Sequence, residues 1–319
     1  MTEVNITVRV DYERTALLLI APDALARQLA EEVVLRIRAS GFRVVEHRLW
    51  TRPPEGIEDF HRRNERVAEN GQIFALVEKL FTFAPFVVAA IEDAKPDGRS
   101  VHERLAELKG RGDPLFAAPG SLRHDLMSVN TVLNIVHSSD GPADTAREAA
   151  ILLSSGQRAP SEPGFTALLR SVRAAERGLT RESRLFPDVL GGVRARVLAG
   201  LWDELPVEAR RRLDSWCARY GVRGLGGAAG GALLAELLPV GWHVDALIDS
   251  LAGGRPTEDI ADLRRLEITL DPWEYLVLAT SRFYAPNSFS DFDGARHHRV
   301  QTRGLVPSPP AADDRRNER

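Results

Sequence analysis

The residues best suited to chemistry lie in the segment Asn-Ile-Val-His-Ser-Ser-Asp, which runs from Asn134 to Asp140. Its imidazole, His137, can act as a nucleophile when its second ring nitrogen is held by another group. Glu148 lies eight residues after Asp140 and offers a carboxylate for that purpose. Outside such a pattern a histidine is more often structural or on the surface, and Glu148 could equally be a solvated carboxylate.

The elements that must position these residues form a β-α-β-α-α-β-α-β-α order. A largely apolar run at 13–20 predicts a buried strand, and the helical periodicity that follows predicts an amphipathic helix with Asp23 as its N-cap and Gly41 as its stop. Without the two consecutive helices, the order is a ferredoxin-like split β-α-β arrangement in an α+β sandwich. The other predicted elements are strands at 42–49, 86–92 and near 132–136, and helices at 55–68, 72–82, 99–109 and 144–153.

The second part of the chain has a different pattern. Residues 154–165 are rich in Pro, Gly and Ser, which is typical of a linker, and residues 304–319 are Pro-rich and then charged, which predicts a disordered tail. Between them we expect a mostly α-helical domain, and Asp271 before a proline predicts an N-cap. The predicted helices are 166–178, 188–202, 206–220, 231–238, 242–252, 257–266 and 271–283. The predicted domains are therefore 1–153 and 166–303.

Composition excludes several classes of protein. The net charge of the 319-residue chain is only −3, so a strongly basic face for nucleic acid is not indicated. The single cysteine, Cys217, excludes an intrachain disulfide framework and fits a reducing compartment. No apolar run approaches the roughly 18 residues that span a bilayer, and the polar start lacks a signal-peptide pattern. These features, with abundant Arg and Ala, favour a bacterial, cytoplasmic protein without nucleic-acid or membrane partners.

Four segments in order along the chain carry a family resemblance. Residues 13–24 contain Glu-Arg-Thr and Pro-Asp-Ala, residues 118–125 contain Pro-Gly-Ser-Leu-Arg-His-Asp, and Glu148 follows the histidine segment at 134–140. These segments resemble the motifs of nucleoside diphosphate kinases, in which the histidine segment is Asn-aliphatic-aliphatic-His-Gly-Ser-Asp. The resemblance covers residues 12–153, with about the spacings of the family.

The resemblance implies a ping-pong phosphotransferase with the ferredoxin-like kinase fold. His137 would accept the γ-phosphoryl group of a nucleoside triphosphate as phosphohistidine and pass it to a nucleoside diphosphate or a related acceptor. Glu148 would orient the imidazole, Mg²⁺ would bridge the nucleotide phosphates, and the protein would be a homo-oligomer. The implied nucleotide contacts are Arg123, Asn134, Arg104 and Phe74. Asn134 could instead simply cap a turn.

Departures from the family pattern weaken this implication. The family lysine before Pro-Asp is Ala21, and the family arginine and threonine positions upstream of Pro114 are Ala106 and Gly112. Each lost donor typically costs on the order of 10²–10³ in rate. Two alternatives therefore stay open: an impaired nucleotide-binding or scaffold module, and a transferase with an atypical small-molecule acceptor. The cations that could compensate are Arg104, Lys109 and Arg111, or groups from the helical part.

Four other patterns favour structural over functional interpretations. The glycine-rich stretch 224–231 follows no predicted strand, so an interhelical connection is favoured over a dinucleotide loop. The histidines at 297–298 match no metal-ligand spacing. The arginines at 210–212 indicate a charged helix face. The aromatic residues Phe283, Tyr284, Phe289 and Phe292 favour a surface that docks on the kinase-like half over a base-stacking platform.

Overall fold

A computed structural model describes residues 11–62, 70–153, 164–238 and 268–286. We refer to residues 11–153 as the first half and to residues 164–286 as the second half. The strands are β1 (Thr15–Ile20), β2 (Phe42–Trp50), β3 (Phe86–Asp93) and β4 (Val136–Ser138). The helices of the first half are α1 (Pro22–Ala26), α2 (Ala30–Ala39), α3 (Ile57–Arg62), α4 (Gly71–Phe83), α5 (Val101–Lys109), α6 (Leu122–Asp125) and α7 (Pro142–Leu152). Those of the second half are α8 (Phe165–Glu176), α9 (Phe186–Gly200), α10 (Val207–Tyr220), α11 (Ala228–Leu237) and α12 (Pro272–Ser281).

The four strands form one antiparallel sheet in the order β2-β3-β1-β4. All six residues of β1 are buried, since it is a central strand with both faces covered. The shortest strand, β4, lies at the edge and pairs only with β1 among the described residues, with His137 opposite Leu19. This order confirms the predicted ferredoxin-like α+β arrangement.

Alternation along β1 divides the core into two layers. Its even-numbered residues pack with α2, α5 and α8, whereas Leu17, Leu19 and Ala21 pack with α3, α4 and α7. Directly opposed residues on neighbouring strands point to the same face of a sheet, so His137 shares the second face with Leu19. The imidazole therefore projects into the layer formed by α3, α4 and α7.

The long amphipathic helix predicted after β1 is wrong, because the chain forms two helices, α1 and α2. Gln28 separates them in a left-handed conformation with φ of 54°. Asp23 is not an N-cap: it lies inside α1, fully buried, and Ala21 occupies the cap position without a side-chain bond. The carboxylate instead accepts a hydrogen bond from Ile135 N–H across the fold. Gly41 follows α2 with φ of 85°, as a stop residue should.

The strand predicted near 132–136 is also misplaced, since β4 begins at Val136. The preceding residues form a turn in which the Asn130 side chain accepts hydrogen bonds from Val132 N–H and Leu133 N–H, both at 3.0 Å. Ile135 completes the turn with φ of 74°. Apolar residues in this stretch are thus buried by a turn rather than by a strand.

The described helices of the second half agree with the sequence pattern. Asp271 caps α12 as predicted, because its side chain accepts from Glu274 N–H at 2.8 Å while the Glu274 carboxylate accepts from Asp271 N–H at 3.1 Å. The glycine-rich stretch is an interhelical connection only in its first part, since α11 begins at Ala228. A β-carbon on Gly226 would overlap the Pro187 carbonyl at the start of α9. The predicted helices 242–252 and 257–266, the histidines at 297–298 and the tail lie outside the described residues. The domain boundaries stay a prediction.

Two helices of the second half pack against the first half. In α8, Glu176 accepts a hydrogen bond from Ala30 N–H at 3.1 Å, and Leu168 and Val172 complete the core beside α2. The first half therefore does not bury this layer of its core alone.

No helix in the described ranges is both long and apolar enough to cross a membrane.

The helix α12 covers α4 and the turn before β4. Trp273 stacks on Phe83 with ring centroids 5.9 Å apart, and Asn130 donates a hydrogen bond to the Thr280 hydroxyl at 2.7 Å. Beyond α12, Phe283 and Tyr284 pack against the apolar layer of α3, α4 and α7. Docking on the first half is thus confirmed for these two aromatic residues, while Phe289 and Phe292 lie outside the described ranges.

Candidate active site

His137 lies at the centre of β4, with its side chain 38% exposed. The ring of Phe60 from α3 meets the imidazole edge to face, with centroids 5.1 Å apart and planes at 82°. This contact restricts rotation of the imidazole on one side while leaving part of the ring open to solvent. Phe60 is a site neighbour that the sequence analysis missed, because nothing local marks it as facing β4.

The partner of His137 is Glu148. A tight turn follows β4, and α7 then runs back so that the Glu148 side chain, 4% exposed, reaches the imidazole. His137 Nε2 lies 3.2 Å from each carboxylate oxygen. A ring nitrogen held by a carboxylate carries the hydrogen, which leaves the lone pair of the neutral ring on Nδ1. The structure brings these two predicted residues together.

Arg147 adds a positive charge to this pair. Its Nη2 donates to Glu148 Oε1, one of the two oxygens that face His137, at 3.2 Å, and to Asp144 at 3.4 Å. The side chain is 26% exposed, so the guanidinium lies at the edge of the site. Nothing in the sequence marks Arg147 as a site residue, because adjacent residues on a helix normally point in different directions and its long side chain bends back.

Two buried cations cover the free edge of β4. Arg123 donates to the carbonyl oxygens of Val136 at 2.7 Å and Gly110 at 3.1 Å, and Lys109 donates to that of Ser138 at 3.4 Å. An edge strand leaves such carbonyls unpaired, so the two side chains take the place of a fifth strand. Burial lowers the pKa of Arg123 to about 10, and burial followed by the nearby Arg123 charge lowers the pKa of Lys109.

The other three predicted nucleotide contacts, Asn134, Phe74 and Arg104, contact protein groups in three separate places. Asn134 donates to the Thr131 carbonyl at 2.7 Å, which is the turn-capping role left open above. Phe74 is half-buried in the apolar layer of α4. The structure does not bring Arg104 to His137: it is ion-paired with Asp93 and donates to the Ser40 carbonyl at 2.7 Å.

The prediction for Arg104 is therefore corrected, because the Asp93 carboxylate at the end of β3 and the Ser40 carbonyl just before β2 bind its guanidinium. Arg111 is exposed, and its guanidinium lies 5.8 Å from the centroid of the Phe116 ring. Of the three cations considered as substitutes, only Lys109 contacts the strand that carries His137.

The three replaced family positions lie in three environments. Ala21 is 5% exposed and shares a sheet face with Leu19 and His137. Ala106 is exposed on α5, and a β-carbon on Gly112 would lie 3.9 Å from Arg123 Nη1. Ala21 is thus the replacement that removes a possible cation from the histidine face itself.

A buried chain of hydroxyl groups fixes the end of β4. Ser139 accepts from Leu17 N–H at 2.9 Å and bonds to Thr145 at 2.7 Å, and Thr145 bonds to His102 at 2.9 Å. Burial lowers the pKa of His102 and so favours its neutral form. In the described parts of the chain, no group of three His, Cys, Asp or Glu side chains could hold a metal ion.

The similarity to known proteins covers nearly the same residues as the first half. The family model "Nucleoside diphosphate kinase" matches residues 13–157. A nucleoside diphosphate kinase of Mycolicibacterium gilvum is 35% identical over 141 residues, which are 44% of this chain and 95% of that relative. The chain belongs to the nucleoside diphosphate kinase family. The family model ends at residue 157, so the second half lies outside the matched region.

Other members of the family show similar coverage. The nucleoside diphosphate kinase of Thermobifida fusca is 35% identical over 43% of this chain and 93% of its own length. That of Herpetosiphon aurantiacus is 28% identical over 52% of this chain and 97% of its own length. The solved apo structure of nucleoside diphosphate kinase from Encephalitozoon cuniculi is 18% identical, with a TM-score of 0.38, and covers 44% of this chain and 90% of that chain.

Proposed function

We propose that this protein moves the γ-phosphoryl group of a nucleoside triphosphate, through phosphohistidine at His137, to a nucleoside diphosphate or a related acceptor. One observation carries the proposal: both oxygens of Glu148 lie 3.2 Å from His137 Nε2, on a partly exposed ring. This geometry assigns the nucleophilic lone pair to Nδ1. A hydrogen-bonded carboxylate also fixes the ring before substrate arrives.

The reaction has two balanced steps. Nδ1 attacks the γ-phosphorus, the bond from that phosphorus to the bridging oxygen breaks, and the nucleoside diphosphate leaves with the electron pair. A terminal oxygen of the acceptor diphosphate then attacks the phosphohistidine, and the P–N bond breaks. In the intermediate, Nε2 keeps its hydrogen, so the His137 ring carries a positive charge that the Glu148 carboxylate stabilises.

Cations near the site support binding of a phosphate chain. Arg147 lies beside Glu148 and is partly exposed. Lys109 and Arg123 are buried and bonded to carbonyls at the β4 edge, so they add positive potential beneath the histidine strand and are not themselves open to a phosphate. The family generally depends on Mg²⁺, which we take to arrive on the nucleotide phosphates as part of the substrate. The chemistry assigned to this chain's own residues is therefore to hold the imidazole, orient it and balance its charge.

The alternative is a kinase-like module of low or no activity that binds nucleotide. It is favoured by Ala21, which puts a methyl group on the histidine face where the family has a lysine. We expect Ala21→Lys to raise phosphorylation of His137, with Leu35→Lys at an exposed position as a control for added charge. Equal or lower incorporation in Ala21→Lys would mean that position 21 does not face the phosphates.

Labelling tests the proposal directly. Incubation with γ-³²P ATP and Mg²⁺ should give an acid-labile, base-stable phosphoprotein, and His137→Ala should abolish the label. His124→Ala is the matched control, because its side chain is 34% exposed and also pairs with a carboxylate. No label in the wild type, with measurable nucleotide binding, would overturn the proposal and support the alternative.

The acceptor and the assembly need separate measurements. Loss of label on addition of nucleoside diphosphates supports the kinase reaction, whereas label that only another small phosphate acceptor removes supports the atypical transferase. We further propose a homo-oligomer, by analogy with the family's usual assembly. A cytoplasmic location remains a separate proposal from the sequence. Analytical ultracentrifugation of the full chain tests the oligomer, and a monomer at micromolar concentration would contradict it.

A further inference from the structure

Three non-glycine residues in the described ranges adopt a positive φ: Gln28 at 54°, Met127 at 54° and Ile135 at 74°. Side chains with a β-carbon are disfavoured in this region, and a β-branched residue such as isoleucine is disfavoured most. Such conformations persist only where surrounding contacts impose them, and they cluster at functional sites.

All three adjoin one short segment, Asp23 to Arg27. The Asp23 carboxylate accepts from Ile135 N–H at 3.0 Å. The Arg27 guanidinium donates to the carbonyls of Met127 and Leu126, both at 3.1 Å. Gln28 follows Arg27 directly and ends α1. The segment from Asp23 to Arg27 thus bonds to Ile135 and Met127 and is followed directly by Gln28.

Ile135 is held from both sides. Besides the bond from its N–H to Asp23, its carbonyl accepts from Ala21 N–H at 2.8 Å. The residue is fully buried, as is Asp23, and Arg27 is 5% exposed. Burying charged side chains is unfavourable, so their presence beneath the histidine turn requires an explanation beyond core packing.

The position of Ile135 explains what the contacts achieve. It lies immediately before β4, two residues before His137, and β4 has only three residues to set its own register. A shift of one residue in a strand turns every side chain to the opposite face of the sheet. Ser139 holds the far end of β4 through its bonds to Leu17, and the backbone at Ile135 sets the register at the near end, so that the imidazole faces Glu148 and not the opposite layer.

We propose that Asp23 and Arg27 are positioning residues for phosphoryl transfer, which hold the left-handed turn at Ile135 so that His137 faces Glu148. This inference rests on the proposed function for its kinetic consequence, but its structural claim stands apart from activity. The fully buried Asp23 is bonded to the backbone N–H of Ile135, two residues before the reacting imidazole. It acts through the backbone that carries the nucleophile.

The central test is a loss-and-rescue pair. Asp23→Ala should lower the rate of His137 phosphorylation by about 10- to 100-fold, as misplacement by about 1 Å does, with a much smaller change in nucleotide affinity. Adding Ile135→Gly should restore part of the rate, because glycine adopts positive φ without the carboxylate. A double variant no faster than Asp23→Ala would overturn the proposal.

A control separates positioning from general stability. Glu274→Gln removes the charge of another buried carboxylate, in α12, and should leave the rate per folded molecule unchanged. If Asp23→Ala loses no more rate than this control, Asp23 has only a structural role. Should Asp23→Ala fail to fold, Asp23→Asn keeps an oxygen acceptor for Ile135 N–H, and the proposal then requires activity to persist in it.

Nitrogen-15 NMR of the His137 ring distinguishes failure of this inference from failure of the proposed function. The wild type should show hydrogen on Nε2, and Asp23→Ala should shift the ring signals towards those of a histidine without a carboxylate partner. Unchanged ring signals would refute positioning whatever the activity. A wild type with the expected tautomer but no phosphorylation would refute the proposed function alone.

Discussion

Asp23 in the first half and Glu274 in the second half are both almost completely buried, at 0% and 2% exposure, and each lies near arginine. Glu274 is fully hydrogen bonded: Arg196 donates to both its oxygens, at 2.9 and 2.7 Å, and Arg184 to one at 3.0 Å. Asp23 instead accepts from a backbone N–H, and burial raises its pKa to about 6.

The difference shows how the two halves use buried charge. Glu274 joins α12 to α9 and to the segment before α9, so its bonds serve docking within the second half. Asp23 has fewer partners among the described residues, because only one of its oxygens is bonded there, and that bond helps to hold the left-handed backbone at Ile135. A buried carboxylate that is well paired indicates architecture, whereas one that is poorly paired beside strained backbone indicates a constraint on function.

Among the buried carboxylates, the largest effect on phosphorylation should come from Glu148, which contacts the imidazole itself. Glu148→Gln should lower His137 phosphorylation by about 10²–10³-fold, because an amide can donate as well as accept, so it does not enforce hydrogen on Nε2, and it has no negative charge to stabilise the phosphohistidine ring. Single-turnover labelling measures the rate, and urea unfolding checks that the fold is intact. A loss smaller than about tenfold would place Glu148 with Glu274 as an architectural carboxylate.

The second prediction concerns the pH dependence of stability. The pKa of Asp23 rises from 3.8 to about 6 on folding, because burial disfavours the anion despite the charge of Arg27. Between these values only the folded state holds the proton, so the free energy of unfolding falls as pH rises from about 4 to 6. The loss is at most about 3 kcal/mol and is complete above the folded pKa.

Asp23→Asn provides the comparison for that prediction. The variant cannot titrate at this position, so the difference in unfolding free energy between wild type and variant should change across this range of pH and be constant above it. Arg27 and Arg123, the charged groups nearest Asp23, keep their protons throughout. Parallel curves for the two proteins would show that Asp23 ionises at its ordinary pKa.

The third prediction addresses the well-paired carboxylate. Glu274→Ala should lower the free energy of unfolding by about 2 kcal/mol, since it removes several charge-assisted bonds but leaves arginines that water still reaches. Chemical denaturation measures this loss, with phosphorylation per folded molecule expected to stay at the wild-type level. A large kinetic effect of Glu274→Ala would remove the contrast between the two halves.

The smallest effect should come from the contact of Lys79 with Tyr275, in which the ammonium lies 4.3 Å from the ring centroid. Lys79→Met should cost about 0.5–1 kcal/mol of stability, as exposed cation–π pairs usually do. Lys79→Arg is the control, because it keeps the positive charge and should retain most of the stability. If the two variants behave alike, charge at this position does not help to dock α12 on α4.

Much of the first half follows from sequence because its signals are local or linear. The apolar run of β1 predicts a buried strand, and the order of four motifs predicts the pairing of His137 with Glu148. The break between α1 and α2 does not follow, because Gln28 and Asp23 satisfy a helical pattern equally well. Asp23 and Arg27, which precede Gln28, bond to residues about 100 positions away, and the local pattern does not reveal those contacts.

Charged side chains were the least predictable part of the site. A motif gives the position of Arg123 but not whether its hydrogens meet phosphate or the carbonyls of an edge strand. The spacing of Arg104 permitted a place beside the nucleotide, but Asp93 binds it elsewhere. A long cationic side chain can reach several acceptors, and the tertiary fold decides which of them lies within hydrogen-bond distance. Sequence spacing does not reveal that choice.

The stacking of Trp273 on Phe83 joins residues 190 positions apart in the chain. During synthesis the ribosome makes α4 long before α12, so a nascent first half exposes Phe83 and the Asn130 turn until most of the protein has been translated. Contacts of such long range form slowly. Maturation of the histidine face is thereby tied to completion of translation through α12.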